Sequence, residues 1–201
     1  KNLVRQNFCR ADLGENKAKV LAQRYSASFG LETHYIPAFL EDEAALEVLL
    51  RPGHTWAGSQ ILPDLTILLG CVDNNQTRQL CHHVFESMRD LIYIDSGNEE
   101  YTGQVVCGIR QGGRTLYRPV GKLYPDMLIP GGKFPSQRSC AELAQAAPQS
   151  ITANIMAAAV MTDFVYNIVA RGELMTRYAV FSASSINVQA HRAGKQKRRT
   201  T

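Results

Sequence analysis

The chain has 201 residues, 45% of them hydrophobic and 20% charged, which is ordinary globular composition and enough for one sizeable core. Its net charge of +4 belongs to one end: the last eleven residues, HRAGKQKRRTT, hold five cations and no acid, leaving 17 cations against 18 acids elsewhere. That balance excludes a broad basic nucleic-acid-binding face on the folded body.

The five cysteines, Cys9, Cys71, Cys81, Cys107 and Cys140, are widely spaced and form no CxxC. They argue against a disulfide framework or a structural zinc and fit a reducing, cytoplasmic setting.

In chain order, RADLGENKAKVLAQRYSASFG reads as a helix. Asp12 and Glu15 stand at capping-box spacing, Leu21, Tyr25 and Phe29 form a stripe, and Gly30 is placed as a C-cap. LETHYIPAFL alternates like a strand ending near Pro37, DEAALEVLL is a short helix, and RPGHTWAGSQ is punctuated like a loop. DLTILLGCVD is a continuous apolar run, as expected of a strand buried on both faces. NNQTRQLCHHVFESMRD is a helix capped by Asn74 or Asn75, with Leu80, Val84 and Met88 on one stripe. LIYIDSGN is a second buried strand, and GQVVCGIRQGGRTLYR gives two strands joined at Gly112-Gly113.

PVGKLYPDMLIPGGKFPSQRS is rich in proline and glycine and has no period, so it is expected as a long functional loop. Helices are expected at CAELAQAA and at 150–171. The second is the most apolar stretch of the chain, but Asn154, Asp163 and Asn167 interrupt it, so it reads as a buried helix rather than a membrane span. YAVFSASSINVQAH closes the fold with one or two strands.

Strands alternating with helices predict an α/β fold, Rossmann-like, with a mainly parallel sheet, flanking helices and a C-terminal antiparallel portion. One domain is expected over 1–190, with 191–201 a basic, disordered tail. Ligands of such sheets sit outside the carboxyl ends of strands, which puts Asp73 and Asp95 at the expected site edge.

Each candidate admits a plainer role. Asp73 either holds Mg²⁺ together with phosphate oxygens or caps the following helix. Arg5 and Lys17 either clamp a polyphosphate or decorate a solvated helix end. Cys140, opening a helix, is either an activated thiol or a small buried residue, whereas Cys71 and Cys107 read as core. His82 and His83 are adjacent and face different sides of their helix, which does not suit a shared metal.

Together, several motifs resemble the ThiF/MoeB/HesA family of ubiquitin-activating-enzyme-like adenylyltransferases. NLVRQNF…DLGENKA resembles the family's N-L-x-R-Q…D-x-G-x-x-K signature, and GCVDNNQTR looks like its x-x-D-N-x-x-x-R strand end. RSCAELA with its following alanine-rich helix is similar to the family's cysteine-containing segment, and DSGNEEYTGQVVCG suits its strand and hairpin. The likeness spans roughly residues 1–190, and the first two motifs agree in both order and spacing.

The resemblance implies ATP-dependent adenylation of the C-terminal carboxylate of a ubiquitin-like or sulfur-carrier protein. On it, Asn2, Arg5 and Gln6 contact the phosphates and ribose region, Lys17 neutralises the triphosphate, Asp73 binds Mg²⁺, and Asn74 and Arg78 support them. Cys140 corresponds to a cysteine that forms a covalent link to the carrier in some members, while others stop at the adenylate. A homodimer is also implied.

Three features depart from the family. No G-x-G-x-x-G occurs, so the nucleotide cradle is expected upstream of Lys1. The paired CxxC zinc motifs of many members are absent, and RSCAELA departs from the usual glycine-containing continuation. A non-catalytic member that pairs with an active partner is the alternative reading. A nicotinamide-dependent oxidoreductase would need a glycine fingerprint that the chain lacks.

Overall fold

The computed structural model describes residues 8–137 and 150–192. The chain forms two compact units, Lys1–Leu40 and Glu41–Thr201.

In the first unit, Arg10–Asp12 form a short 3-10 turn. The Asp12 carboxylate accepts from the Cys9 N–H at 2.7 Å and pairs with the Arg24 guanidinium at 2.8 and 2.9 Å. Gly14, at φ +88°, turns the chain in the left-handed region and separates this turn from α1, Lys17–Phe29. The helix therefore starts later than the Asp12 signal suggested, and its capping acceptor is Asn16, which takes the Lys19 N–H at 3.1 Å. Gly30 closes α1 in the left-handed conformation, as expected. The stripe of Tyr25 and Phe29 stacks at 5.9 Å but stays exposed, and Ala22 is the buried residue of α1. The strand expected at LETHYIPAFL does not form: residues 31–40 have no regular structure, because alternation without a hydrogen-bonding neighbour cannot make a sheet.

The second unit is a three-layer α/β structure. It opens with α2, Glu43–Leu49, and a two-stranded hairpin of β1, His54–Ala57, and β2, Gln60–Pro63. The hairpin occupies a stretch expected to be a loop. Gly58, at φ +63°, supplies its turn, and both strands are exposed throughout.

The main sheet contains β3, Ile67–Gly70, β4, Leu91–Asn98, β5, Thr102–Gln111, β6, Arg114–Tyr117, β7, Thr176–Ser182, and β8, Asn187–Arg192. Its order is β3-β4-β5-β7-β8, with β6 pairing the second half of β5. It is mixed. Between β3 and β4, helix α3, Asn75–Ser87, makes the crossover, and these two strands are parallel; every later pairing among the described residues is antiparallel. The turn at Gly112-Gly113, with φ of +59° and +76°, joins β5 to β6 as expected.

Helix α5, Ile151–Arg171, covers one face of this sheet; α4, the short Val120–Leu123, is packed with α3 against the other. Ile92 and Ile94 of β4 meet Val105, Cys107, Ala179 and Phe181 from the next strands, and Ala153, Ala157, Met161 and Phe164 of α5 close that core. On the opposite face, Phe85 of α3 lies 6.3 Å from Tyr93 of β4.

This two-sided cover buries β4 from Leu91 to Gly97, as its composition predicts. β3 differs from expectation. It is the edge of the described sheet, and Leu69 is 47% exposed. Its apolar run reflects a strand with one covered neighbour, not two. α5 is long and apolar enough to cross a membrane, but its alanine, methionine and phenylalanine face is docked on the sheet. β8 runs through Arg192, so His191 and Arg192, expected in the tail, belong to the sheet.

Candidate functional site at the carboxyl end of β3

β3 ends at Gly70, and four residues, Cys71 to Asn74, lead into α3. Two devices hold this turn. The Asn74 side chain accepts the Thr77 N–H at 2.8 Å and caps α3. Arg78, one turn into the helix, reaches back: its Nη2 donates to the Val72 carbonyl at 2.6 Å and to the Ser96 carbonyl at 3.0 Å, and its Nε donates to Asp95 at 3.3 Å.

Asp73 lies between these anchored neighbours and is exposed. Because Asn74 is the cap, Asp73 does not have the capping role that was open on sequence alone. Its carboxylate has no hydrogen-bond partner among the described residues. An exposed carboxylate on a fixed turn suits Mg²⁺, which takes one or two protein carboxylates and completes its shell with phosphate and water. No three His, Cys, Asp or Glu side chains converge on a metal-sized site among the described residues; an ion at Asp73 would take its other ligands from water or from a bound molecule.

Asp95 was expected at a strand end facing ligand. It lies instead within β4, opposite Gly70 in the register, and is 1% exposed. The Tyr93 hydroxyl donates to it at 2.8 Å while Arg78 holds its other oxygen. Burial raises its pKa above the ordinary carboxylate value, and the Arg78 charge and the two hydrogen bonds only partly offset that. Burial also holds the Tyr93 hydroxyl far above its usual range and pushes the Cys81 thiol up to about 11. Asp95, Tyr93 and Arg78 thus form a buried support behind the turn, not a ligand-facing pair. A carboxylate at the centre of LIYIDSGN was the signal for it: an acid in a doubly covered strand requires a buried partner.

Lys17 is the first residue of α1 in the other unit, with its Nζ 5.8 Å from the centroid of the Phe8 ring. A cation at a helix N-terminus opposes the helix dipole. Asn2, Arg5, Gln6 and Cys140 lie outside the described residues, as does the helix expected at CAELAQAA.

Cys71, expected in a strand core, falls just past β3 in the turn. Its thiol lies 3.9 Å from the Met161 sulfur. Cys107 is core as expected, with burial pushing its thiol up to about 12. His82 is buried, whereas His83 is exposed and lies 2.7 Å from Glu43 of α2, so the two do not share a metal site.

The stretch from Pro119, expected as one long loop, instead holds α4 and 3-10 turns at Pro125–Leu128 and Pro135–Gln137, and it is tied to α3. Gln79 donates to the Met127 and Ile129 carbonyls at 2.8 and 2.9 Å, and Gln76 donates to the Gly131 carbonyl at 2.6 Å.

No protein-family model and no curated protein matches the chain. Solved structures do. Escherichia coli MccB with ATP matches at TM-score 0.61 and 16% identity over 98% of this chain, and MccB with AMPCPP and MccA at TM-score 0.59 and 16% identity over 98%. PaaA matches at TM-score 0.58 and 14% identity over 92%. The chain spans about half the length of these proteins, 50% of PaaA and 54% of MccB. At such identities the likeness establishes the fold alone, a Rossmann-like α/β fold.

Proposed function

We propose that this chain carries out ATP-dependent adenylation of the C-terminal carboxylate of a peptide or of a ubiquitin-like or sulfur-carrier protein. The observation that carries the reading is Asp73, an exposed carboxylate on a turn fixed on both sides at the carboxyl end of β3. The fold supports it, since structures of that fold were solved with ATP and with AMPCPP and MccA.

In this reading a carboxylate oxygen of the carrier attacks the α-phosphorus of ATP. The bond from that phosphorus to the bridging oxygen breaks, pyrophosphate leaves with the electron pair, and an acyl-adenylate forms. Charge accumulates on phosphoryl oxygens in the transition state, and fixed cations stabilise it. Asp73 holds Mg²⁺, which supplies further charge neutralisation when bound. By the resemblance, Asn2, Arg5 and Gln6 would contact the phosphates and ribose region and Lys17 would neutralise the triphosphate, with Asn74 and Arg78 in support. A later thioester at Cys140 belongs to the same proposal.

Pairing of two copies in a cytoplasmic setting completes the reading. The face of α5 that exposes Ile151, Ile155, Tyr166 and Val169 offers an apolar surface for such pairing, and equilibrium sedimentation should return twice the chain mass.

The test is exchange of labelled pyrophosphate into ATP by the protein as encoded, with Mg²⁺ and a candidate carrier. Exchange that needs the carrier and falls on the order of 10²-fold in Asp73→Asn is expected. Exchange untouched by Asp73→Asn removes the site assignment. Binding of the carrier with no exchange under any condition points to the non-catalytic pairing role.

A further inference from the structure

Arg78 ends the x-x-D-N-x-x-x-R motif, where the simplest expectation is a cation for phosphate. Its geometry argues otherwise. Three of its five N–H donors are engaged by protein acceptors: the Val72 carbonyl, the Ser96 carbonyl and the Asp95 carboxylate. Its side chain is 14% exposed and that of Asp95 is 1% exposed, so the pair lies behind the turn instead of in front of it.

The acceptors come from two chain segments: the Val72 carbonyl of the β3–α3 turn, and the Asp95 side chain and Ser96 carbonyl of adjacent residues in β4. Asp95 is itself fixed by Tyr93, the space between it and Gly70 is full, and Arg78 lies in ordinary contact distance of Gly97. A Cβ on Gly70 would lie 2.5 Å from the Asp95 carboxylate, and a Cβ on Gly97 would lie 3.5 Å from the Arg78 guanidinium. The guanidinium cannot swing forward without leaving the Asp95 charge buried and uncompensated.

We infer that Arg78 is a positioning residue: held by Asp95, it clamps the Val72 carbonyl to β4 and so sets the place of the Asp73 carboxylate. Asp73 has one neighbour held by Arg78 and the other by the helix cap. The planar fork is required, because a lysine ammonium is a point donor and cannot span two carbonyls and a carboxylate in fixed directions. The inference rests on Asp73 being the metal-binding carboxylate of the adenylation reading.

The experiment combines two measurements on the protein as encoded: amide hydrogen exchange across residues 71–76, and the Mg²⁺ concentration that half-saturates ATP binding in calorimetry. Arg78→Ala should speed exchange in 71–76 at least tenfold and raise the half-saturating Mg²⁺ at least tenfold. Arg78→Lys keeps the charge beside Asp95 and should remain folded, yet it should restore neither readout fully. Asp95→Asn should loosen the same segment at least threefold, although it never approaches a nucleotide.

Native protection of 71–76 in all three variants overturns the inference, as does a loss of ATP binding in Arg78→Lys with the turn still protected, the signature of a direct phosphate ligand. Asp73→Asn separates the two ideas. It should keep native protection and change only the Mg²⁺ response. If it leaves that response unchanged while Arg78→Ala still loosens the turn, the metal assignment fails and the clamp stands.

Discussion

Gly70 provides a steric test of the support behind the candidate site. It is the last residue of β3 and pairs with Asp95 in the register. A Cβ built there would lie 2.5 Å from the Asp95 carboxylate, 2.9 Å from the Tyr93 ring edge and 3.2 Å from the Tyr93 hydroxyl. These atoms are buried and joined by a 2.8 Å hydrogen bond, so they cannot move aside separately. Forcing a methyl group into a packed site costs about 1–3 kcal/mol, and disturbing a hydrogen bond to a charged group adds about 1.5–3 kcal/mol. Gly70→Ala should therefore lower unfolding free energy by about 2.5–6 kcal/mol, with roughly 2–4 °C of melting temperature lost per kcal/mol for a chain of this size.

Urea titration followed by circular dichroism measures this directly. Gly112→Ala is the control: nothing lies within 4 Å of its added Cβ, but its φ of +59° is left-handed, so it should lose only about 1 kcal/mol through backbone strain. A Gly70→Ala midpoint equal to wild type, or a loss no greater than that of Gly112→Ala, would falsify the tight packing of Asp95 and Tyr93 against β3.

Three further outcomes follow from the same geometry. Gly121→Ala would place a Cβ 2.8 Å from His82 Nδ1 and 2.9 Å from Leu128, so a loss of about 1–3 kcal/mol is expected in the same titration. Asn74→Ala removes the α3 cap and should lose about 1 kcal/mol, whereas Asn75→Ala, one residue on, should lose little. Burial lowers the pKa of His82 below its ordinary value, against an opposing pull from Glu86 and with Lys122 and His83 reinforcing it. The unfolded chain therefore takes up a proton at a pH where the folded one does not, and the contribution of His82 to stability is lost as pH falls below about 6.5. Unfolding free energy measured from pH 7 to 5 should fall less steeply in His82→Gln, and an identical slope would remove His82 as the source.

Much of the site's frame was legible because it is local. An asparagine cap at 74 or 75, the helix after it, the doubly covered β4 and the Gly112-Gly113 turn all follow from periodicity or from short-range chemistry, and the structure selects Asn74. What escaped depends on distant partners. The alternation of LETHYIPAFL marks a strand only if another strand lies beside it, and RPGHTWAGSQ gained one in β2 because Gly58 turns the chain back. Capping-box spacing at Asp12 could not reveal that Gly14 breaks the helix first or that Arg24 claims the carboxylate. Asp95 was readable as an anomaly in an apolar strand, but its partner on α3 appears only when the crossover folds Arg78 over the end of β4.

Pyrophosphate exchange into ATP, run on the protein as encoded with Mg²⁺ and its candidate carrier, tests the central claim most directly. The account predicts carrier-dependent exchange that survives in Cys140→Ala and is lost in Asp73→Asn. Full exchange in Asp73→Asn, or none in the wild type with any C-terminal carboxylate offered, contradicts it.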